Sequence, residues 1–210
     1  MGFKPIANDL RKSIYLKMLK KITLLLLLSG TCIYAKAQTA DQIFDYYLEM
    51  DMARTKGDMP RALEFGKTIL PNVDKLPAKY KISYYYSLGK IYDDSFQADK
   101  AIIYYDKVLA AQPNYFVPHL ALGYIYYNKA SEISKKLQTA KNDAKLATDY
   151  NATILKALPH LEKAQACDPN DETLKIIKML YSAVKDTAGL NSLPTRLAAM
   201  SKNCISVLTE

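Results

Sequence analysis

The chain has 210 residues, half of them hydrophobic, with 17 Tyr, 5 Phe and no Trp; that supplies one sizeable core and leaves too little length for two large domains. Its formal charge of +8 invites a nucleic-acid reading, but residues 1–37 hold seven of the 29 basic residues and one of the 21 acidic ones. The remainder carries 22 − 20 = +2, and a nucleic-acid footprint belongs on the folded body, so no nucleic-acid partner is expected.

Residues 1–37 read as a signal peptide. Lys20 and Lys21 precede an apolar run from Ile22 to Leu28, carried past Ser29 and Gly30 to Tyr34, and Ala35-Lys36-Ala37 follows. A basic start, a short apolar core and an Ala-x-Ala ending describe a secretory leader. The run is shorter than the ~20 residues a membrane-spanning helix needs. Cleavage is expected after Ala37, with Met18 as an alternative start. An uncleaved amphipathic anchor is the other reading of this segment. Lipid attachment at Cys32 is disfavoured, because Ser29 and Thr31 stand at the lipobox positions. The leader resembles those of Bacteroidetes-type Gram-negative bacteria. That resemblance implies a secreted, periplasmic mature chain that meets the membrane only through the leader, before cleavage.

From Gln38 to Leu70 the spacing predicts a helical pair. Ile43, Tyr46, Tyr47 and Met50 recur every three or four residues, and Lys56-Gly57-Asp58 is a turn signal. Pro60 suits a first helical turn, Ala62, Phe65, Gly66 and Ile69 form the second apolar stripe, and Pro71 closes it. Residues 72–79, with Pro77, read as a connector.

The next stretch carries the strongest pattern. Tyr85-x-x-Leu88-Gly89-x-x-Tyr92 is followed by a turn at Asp93-Asp94-Ser95, then Ala101-x-x-x-Tyr105 and Pro113. Tyr85, Leu88 and Tyr92 share one helical face. Gly89 has no side chain, so a second helix can cross close by, with small Ala101 facing it and Tyr105 filling the gap. This pattern resembles the tetratricopeptide repeat, with Tyr85 in place of the family's usual Trp and Tyr105 in place of its Phe.

Leu122-Gly123-x-x-Tyr126 repeats Leu88-Gly89-x-x-Tyr92 after 34 residues, the family's period, and Pro118 fits the first turn of its helix. The second half comes late, as Ala157-x-x-x-Leu161, Ala164 and Pro169. Tyr92 to Ala101 is 9 residues and Tyr126 to Ala157 is 31, an excess of 22. The excess is rich in Lys, Ala and Asp and lacks Gly and Pro, which predicts two lengthened helices forming a hairpin over about 129–156. Pro159 is expected to kink the second. Asp171 to Lys185 reads as a further helix, Asp186 to Gly189 as its stop, and Leu197 to Leu208 as a last helix set off by Pro194.

The expected fold is all-α, a TPR-like right-handed helical-hairpin solenoid with one expanded repeat and a C-terminal capping helix. A degenerate repeat spans 38–72, a regular one 82–115, the expanded one 116–170, and a partial repeat with its cap 171–210. Stacking is required, since one helix pair cannot bury its own apolar face.

Little catalytic chemistry is written in this chain. After leader removal it holds His119, His160, Cys167 and Cys204, without the short ligand spacings of a zinc site. A Cys167–Cys204 disulfide is left open. No nucleophile motif or phosphate loop is present, so no enzyme activity, catalytic residue, metal or cofactor is expected. In the repeats this chain resembles, the first helices line a concave groove. The resemblance places Tyr86, Lys90 and Asp93 there from the regular repeat, and Leu120, Tyr124, Tyr127 and Asn128 from the expanded one. It implies a protein or peptide partner. Tyr86 and Lys90 replace the Lys and Asn that clamp a C-terminal carboxylate in chaperone-tail-binding members, which argues against that partner. Glycan or envelope-ligand binding through exposed Tyr rings is one alternative. A scaffold role in envelope assembly, through the Lys-rich hairpin, is another.

Overall fold

The computed structural model describes residues 15–20, 38–140 and 142–206, and divides the chain into Met1–Gln38 and Thr39–Glu210. In the first unit residues 15–20 are helical with exposed side chains. The rest of the expected leader lies outside the described residues.

The second unit is built of eight α-helices among its described residues, and five of them start on a side-chain cap. Helix α1 (Ala40–Thr55) opens with a capping box in which Thr39 and Gln42 exchange side-chain-to-backbone hydrogen bonds. Asp58 caps α2 (Met59–Ile69), which carries Pro60 in its first turn. A 3₁₀ segment, Leu70–Lys75, leads to α3 (Ala78–Asp94), paired with α4 (Ala98–Ala111). Helix α5 (Phe116–Thr139) is followed by α6 (Ala144–Cys167), capped by Asp143. Asn170 caps α7 (Asp171–Ala183) and Asp186 caps α8 (Thr187–Met200). The 24-residue α5 and α6 are the lengthened hairpin that the composition of the insert predicts. Pro159 lies inside α6, which nonetheless runs as one helix. The ring is exposed, on a side where water can take up the hydrogen bond it cannot make.

Helices pack against their sequence neighbours: α1 on α2, α3 on α4, α5 on α6, and each pair on the next. Three turns share one design. Gly57, Phe96 and Lys185 all have positive φ, at 80°, 57° and 57°. After each, the next amide bonds back to the first helix: Asp58 N to Ala53 O, Gln97 N to Tyr92 O, Asp186 N to Tyr181 O, at 2.8–3.0 Å. This is the Schellman closure, whose left-handed position normally falls to glycine.

Two apolar clusters result. The first gathers Ile43, Met50, Ala62, Ile69, Tyr84, Leu88, Ile91 and Tyr105 with Leu122 and Ile125 of α5. The second joins Ala130 of α5 to Ile154, Ala157, Leu158 and Leu161 of α6, Ile177 and Leu180 of α7, and Leu193 of α8. Glycine sets the crossing distance in both long hairpins. A Cβ on Gly89 would meet the Tyr105 ring at 2.9 Å, and one on Gly123 would meet Leu161 Cδ2 at 2.6 Å. Tyr84 is fully buried and donates to Gly66 O at 2.8 Å, whereas Tyr85 is half-buried and stacks on Tyr104.

The C-terminal end corrects the sequence reading. The last helix runs Thr187–Met200 rather than Leu197–Leu208, and Pro194 lies inside it. Lys185 forms the turn and Asp186 caps the next helix at Gly189, so the polar stretch read as a stop is a start. Beyond Met200 the chain folds back: Ile205 N donates to Asn114 O at 2.9 Å, and Phe116 N donates to Ile205 O at 3.1 Å. Nearly buried Lys163 of α6 binds Asn114 Oδ1, Met200 O and Asn203 O, holding the helix end to that loop. A Cys167–Cys204 disulfide, with Cα atoms 5.5 Å apart, fastens the segment covalently.

Candidate functional site

The seven groove residues do not form one surface. They divide between two clefts and the packed interior. Asp93 of α3 and Asn128 of α5 line one open cleft of about 550 Å³, with Phe96 and Gln97 from the α3–α4 turn, Asp99 and Lys100 from the first turn of α4, and Lys129 and Glu132 farther along α5. Leu120 and Tyr124 line a smaller cleft of about 140 Å³ against the start of α7, where Tyr124 Oη lies 3.2 Å from Thr173 Oγ1.

The other three are engaged elsewhere. The Tyr86 ring sits 6.1 Å from Tyr105 and 5.7 Å from Tyr115, half-buried beside the first core. Burial raises its hydroxyl's pKa. Lys90 forms an ion pair with Asp94 one turn on, at 2.5 Å. Tyr127 lies edge-on to Tyr124 against the second core. Of the tyrosines expected to face a ligand, none presents a free ring.

The larger cleft holds the unusual electrostatics. Asp93 is half-buried, and its carboxyl is pushed above the usual carboxylate range, first by burial and then by the adjacent Asp94, with Lys90 opposing. Lys129 pairs with Asp99 across the cleft, from α5 to the first turn of α4. Lys100 lies over the Tyr92 ring, 5.2 Å from its centroid. No ion pair is formed by Asp93 or Glu132 among the described residues. Phe96, at the rim, is 97% exposed, the most exposed large hydrophobic residue of the described chain.

Phe96 was not among the groove residues read from the sequence. The chain does contain a signal for it: Gly57 occupies the equivalent turn of the first hairpin, so an aromatic residue there breaks a local rule.

A second cluster is structural in form. His119 Nδ1 lies 2.9 Å from His160 Nδ1, and His119 Nε2 lies 3.0 Å from Pro113 O. A carbonyl only accepts, so His119 carries its proton on Nε2, and His160 donates from Nδ1. Burial lowers the pKa of both, and His119 adds to the effect on His160, which falls to about 4.

Among the described residues no group of three or more His, Cys, Asp or Glu is placed to hold a metal, and no helix is long and apolar enough to cross a membrane. No family model, no curated protein and no solved structure matches the chain.

Proposed function

We propose that this chain is an exported, non-enzymatic tetratricopeptide-type solenoid that binds a protein or peptide in the cleft between its second and third hairpins. One observation carries the reading. Asp93 and Asn128, which the repeat resemblance assigns to one groove from two different repeats, line the same 550 Å³ cleft. A cleft framed by packed helices is preorganised, so the protein loses little freedom when a segment binds. The Gly89–Tyr105 and Gly123–Leu161 crossings support the repeat assignment, because both place the residue four beyond the repeat's Ala against its Gly. The Cys167–Cys204 disulfide supports export, since such bonds persist in oxidising compartments.

The peptide reading is favoured over sugar stacking because the rings of Tyr86, Tyr124 and Tyr127 are packed against neighbours. A photo-crosslinking residue placed at exposed Asn128 is expected to capture a defined protein or peptide in the native envelope. The same residue at Ile103, exposed on α4, is expected to capture none of it. Equal capture at both positions, or capture of glycan alone, would defeat the reading.

A further inference from the structure

From the cleft beside the second hairpin, we infer that the groove is specific for a basic side chain, Lys or Arg, of its peptide partner, seated on Asp93 with Phe96 covering its neighbour. The inference rests on the groove reading above and adds the chemistry of the ligand.

Three observations converge on Asp93. Its carboxyl is half-buried and forms no ion pair among the described residues, and Lys90, the cation acting on it, is held by Asp94. Beside it, the hydroxyl of Tyr105 is buried without a hydrogen-bond partner in a residue that is 0% exposed. Asp93 is the charge acting most strongly on that hydroxyl, and the hydroxyl in turn lowers the Asp93 pKa, so the two groups face each other without forming a complete hydrogen bond. A buried hydroxyl whose hydrogen bond is incomplete costs stability, and folded proteins seldom keep one. A cation seated on Asp93 holds the carboxylate ionised and gives the Tyr105 O–H a charged acceptor. A neutral or anionic ligand does neither.

The rest of the cleft agrees in sign. Lys129 is taken by Asp99, and Glu132 stands farther along the same wall without an ion pair among the described residues. Lys100, the other cation of the lining, bonds the Gln97 side chain and lies over the Tyr92 ring, so two carboxylates without ion pairs stand against one such cation and the balance is negative. Phe96 supplies the second contact. It holds a left-handed backbone that glycine takes at the matching turn, and it exposes its whole ring to water. Both choices disfavour the free protein and gain a purpose only when something covers the ring.

The test uses the folded chain and a phage-displayed library of random peptides, with each selected peptide then synthesised in two forms. In one, Lys is replaced by norleucine or Arg by citrulline. Selected peptides are expected to share a basic residue next to an apolar one. Neutralising it, or introducing Asp93→Asn, is expected to weaken binding by about tenfold or more, the scale of one charge-assisted hydrogen bond. Phe96→Gly is expected to weaken binding while melting higher than the parent, a combination that misfolding cannot produce. Peptides that bind at the cleft, as judged by loss of binding in Asn128→Arg, but ignore both neutralisations would overturn the basic-side-chain inference and leave the groove reading standing. Selection of no peptide at all would overturn both.

Discussion

Leu161 lies against Gly123 as Tyr105 lies against Gly89. Tyr105 follows Gly89 by 16 residues and Leu161 follows Gly123 by 38, so an insert of 22 residues leaves the crossing of the hairpin unchanged. The insert extends both helices away from a conserved contact within this one chain. A methyl at Gly123 would press on the Leu161 side chain at 2.6 Å and on its backbone nitrogen at 3.1 Å; at Gly89 it would meet only the Tyr105 ring. Gly123→Ala is therefore expected to destabilise by about 2 kcal/mol, net of the better helix propensity of alanine, and Gly89→Ala by less. Urea denaturation of the two variants checks the order; a harmless Gly123→Ala would remove the crossing from the account.

Glu162 is 3% exposed and accepts from three groups: Arg196 Nε at 2.9 Å, Arg196 Nη2 at 2.7 Å, and the Tyr181 hydroxyl. One carboxylate on α6 thus ties α7 and α8. Arg196→Ala strands that buried charge and is expected to cost about 3 kcal/mol. Combining it with Glu162→Leu should recover much of the loss, because the stranded carboxylate is then gone. Thermal melts of the single and double variants decide this, with equal melts pointing to lost packing instead.

The His119–His160 pair makes stability fall with acid. The His160 pKa is near 4 in the folded chain, against an ordinary value of 6.5, chiefly because of burial. Above pH 6.5 neither folded nor unfolded chain carries that proton and the contribution is complete. Between pH 6.5 and 4 only the unfolded chain takes it up, so stability drops, by up to about 3 kcal/mol from this site. Lys163 adds positive charge beside His119 and opposes its protonation. His160→Gln is expected to flatten the decline in that window. A parallel decline in the variant would assign the acid response to other groups.

Reduction should act on the C-terminal segment first. The disulfide spans 37 residues, and its loss is expected to cost about 4 kcal/mol by the loop-entropy estimate. Melts of Cys204→Ser and of the reduced parent should agree, and trypsin should cut sooner at exposed Lys202. An unchanged melt on reduction would show that the bond does not constrain the fold.

Phe96→Gly relieves a left-handed backbone at a residue that contributes nothing to the core, so a gain of about 1 kcal/mol is expected. Phe96→Ala, which keeps the strain, should not show it.

Helix identity was readable wherever local chemistry acts alone. Thr39, Asp58 and Asn170 cap, Gly57 turns, and the Lys- and Ala-rich insert extends two helices. What sequence could not give was which of several adjacent tyrosines faces inward. Tyr84, Tyr85 and Tyr86 differ by about 100° each around a helix, and the neighbour that decides between them is distant: Gly66 O for Tyr84, Tyr115 for Tyr86. The site was half legible for the same reason. Asp93 and Asn128 meet across one cleft, while Leu120 and Tyr124 turn to α7, whose position depends on a helix 24 residues long. The C-terminal helix was misplaced because Pro194 was read as a boundary, although α8 continues through it.

The backward fold of residues 201–206 bears on how the chain comes apart. Hairpins that touch only their sequence neighbours can fray from one end, each opening independently of the rest. Here Ile205 is paired with a loop 90 residues earlier, so the last hairpin cannot peel away without also releasing the joint between the second and third. Unfolding becomes more cooperative across that half, and folding more topologically demanding, since its closing contact waits for residues 201–206. Amide hydrogen exchange should register this as a single protected block from α5 through α8 in the oxidised chain, dissolving into graded protection once the disulfide is reduced.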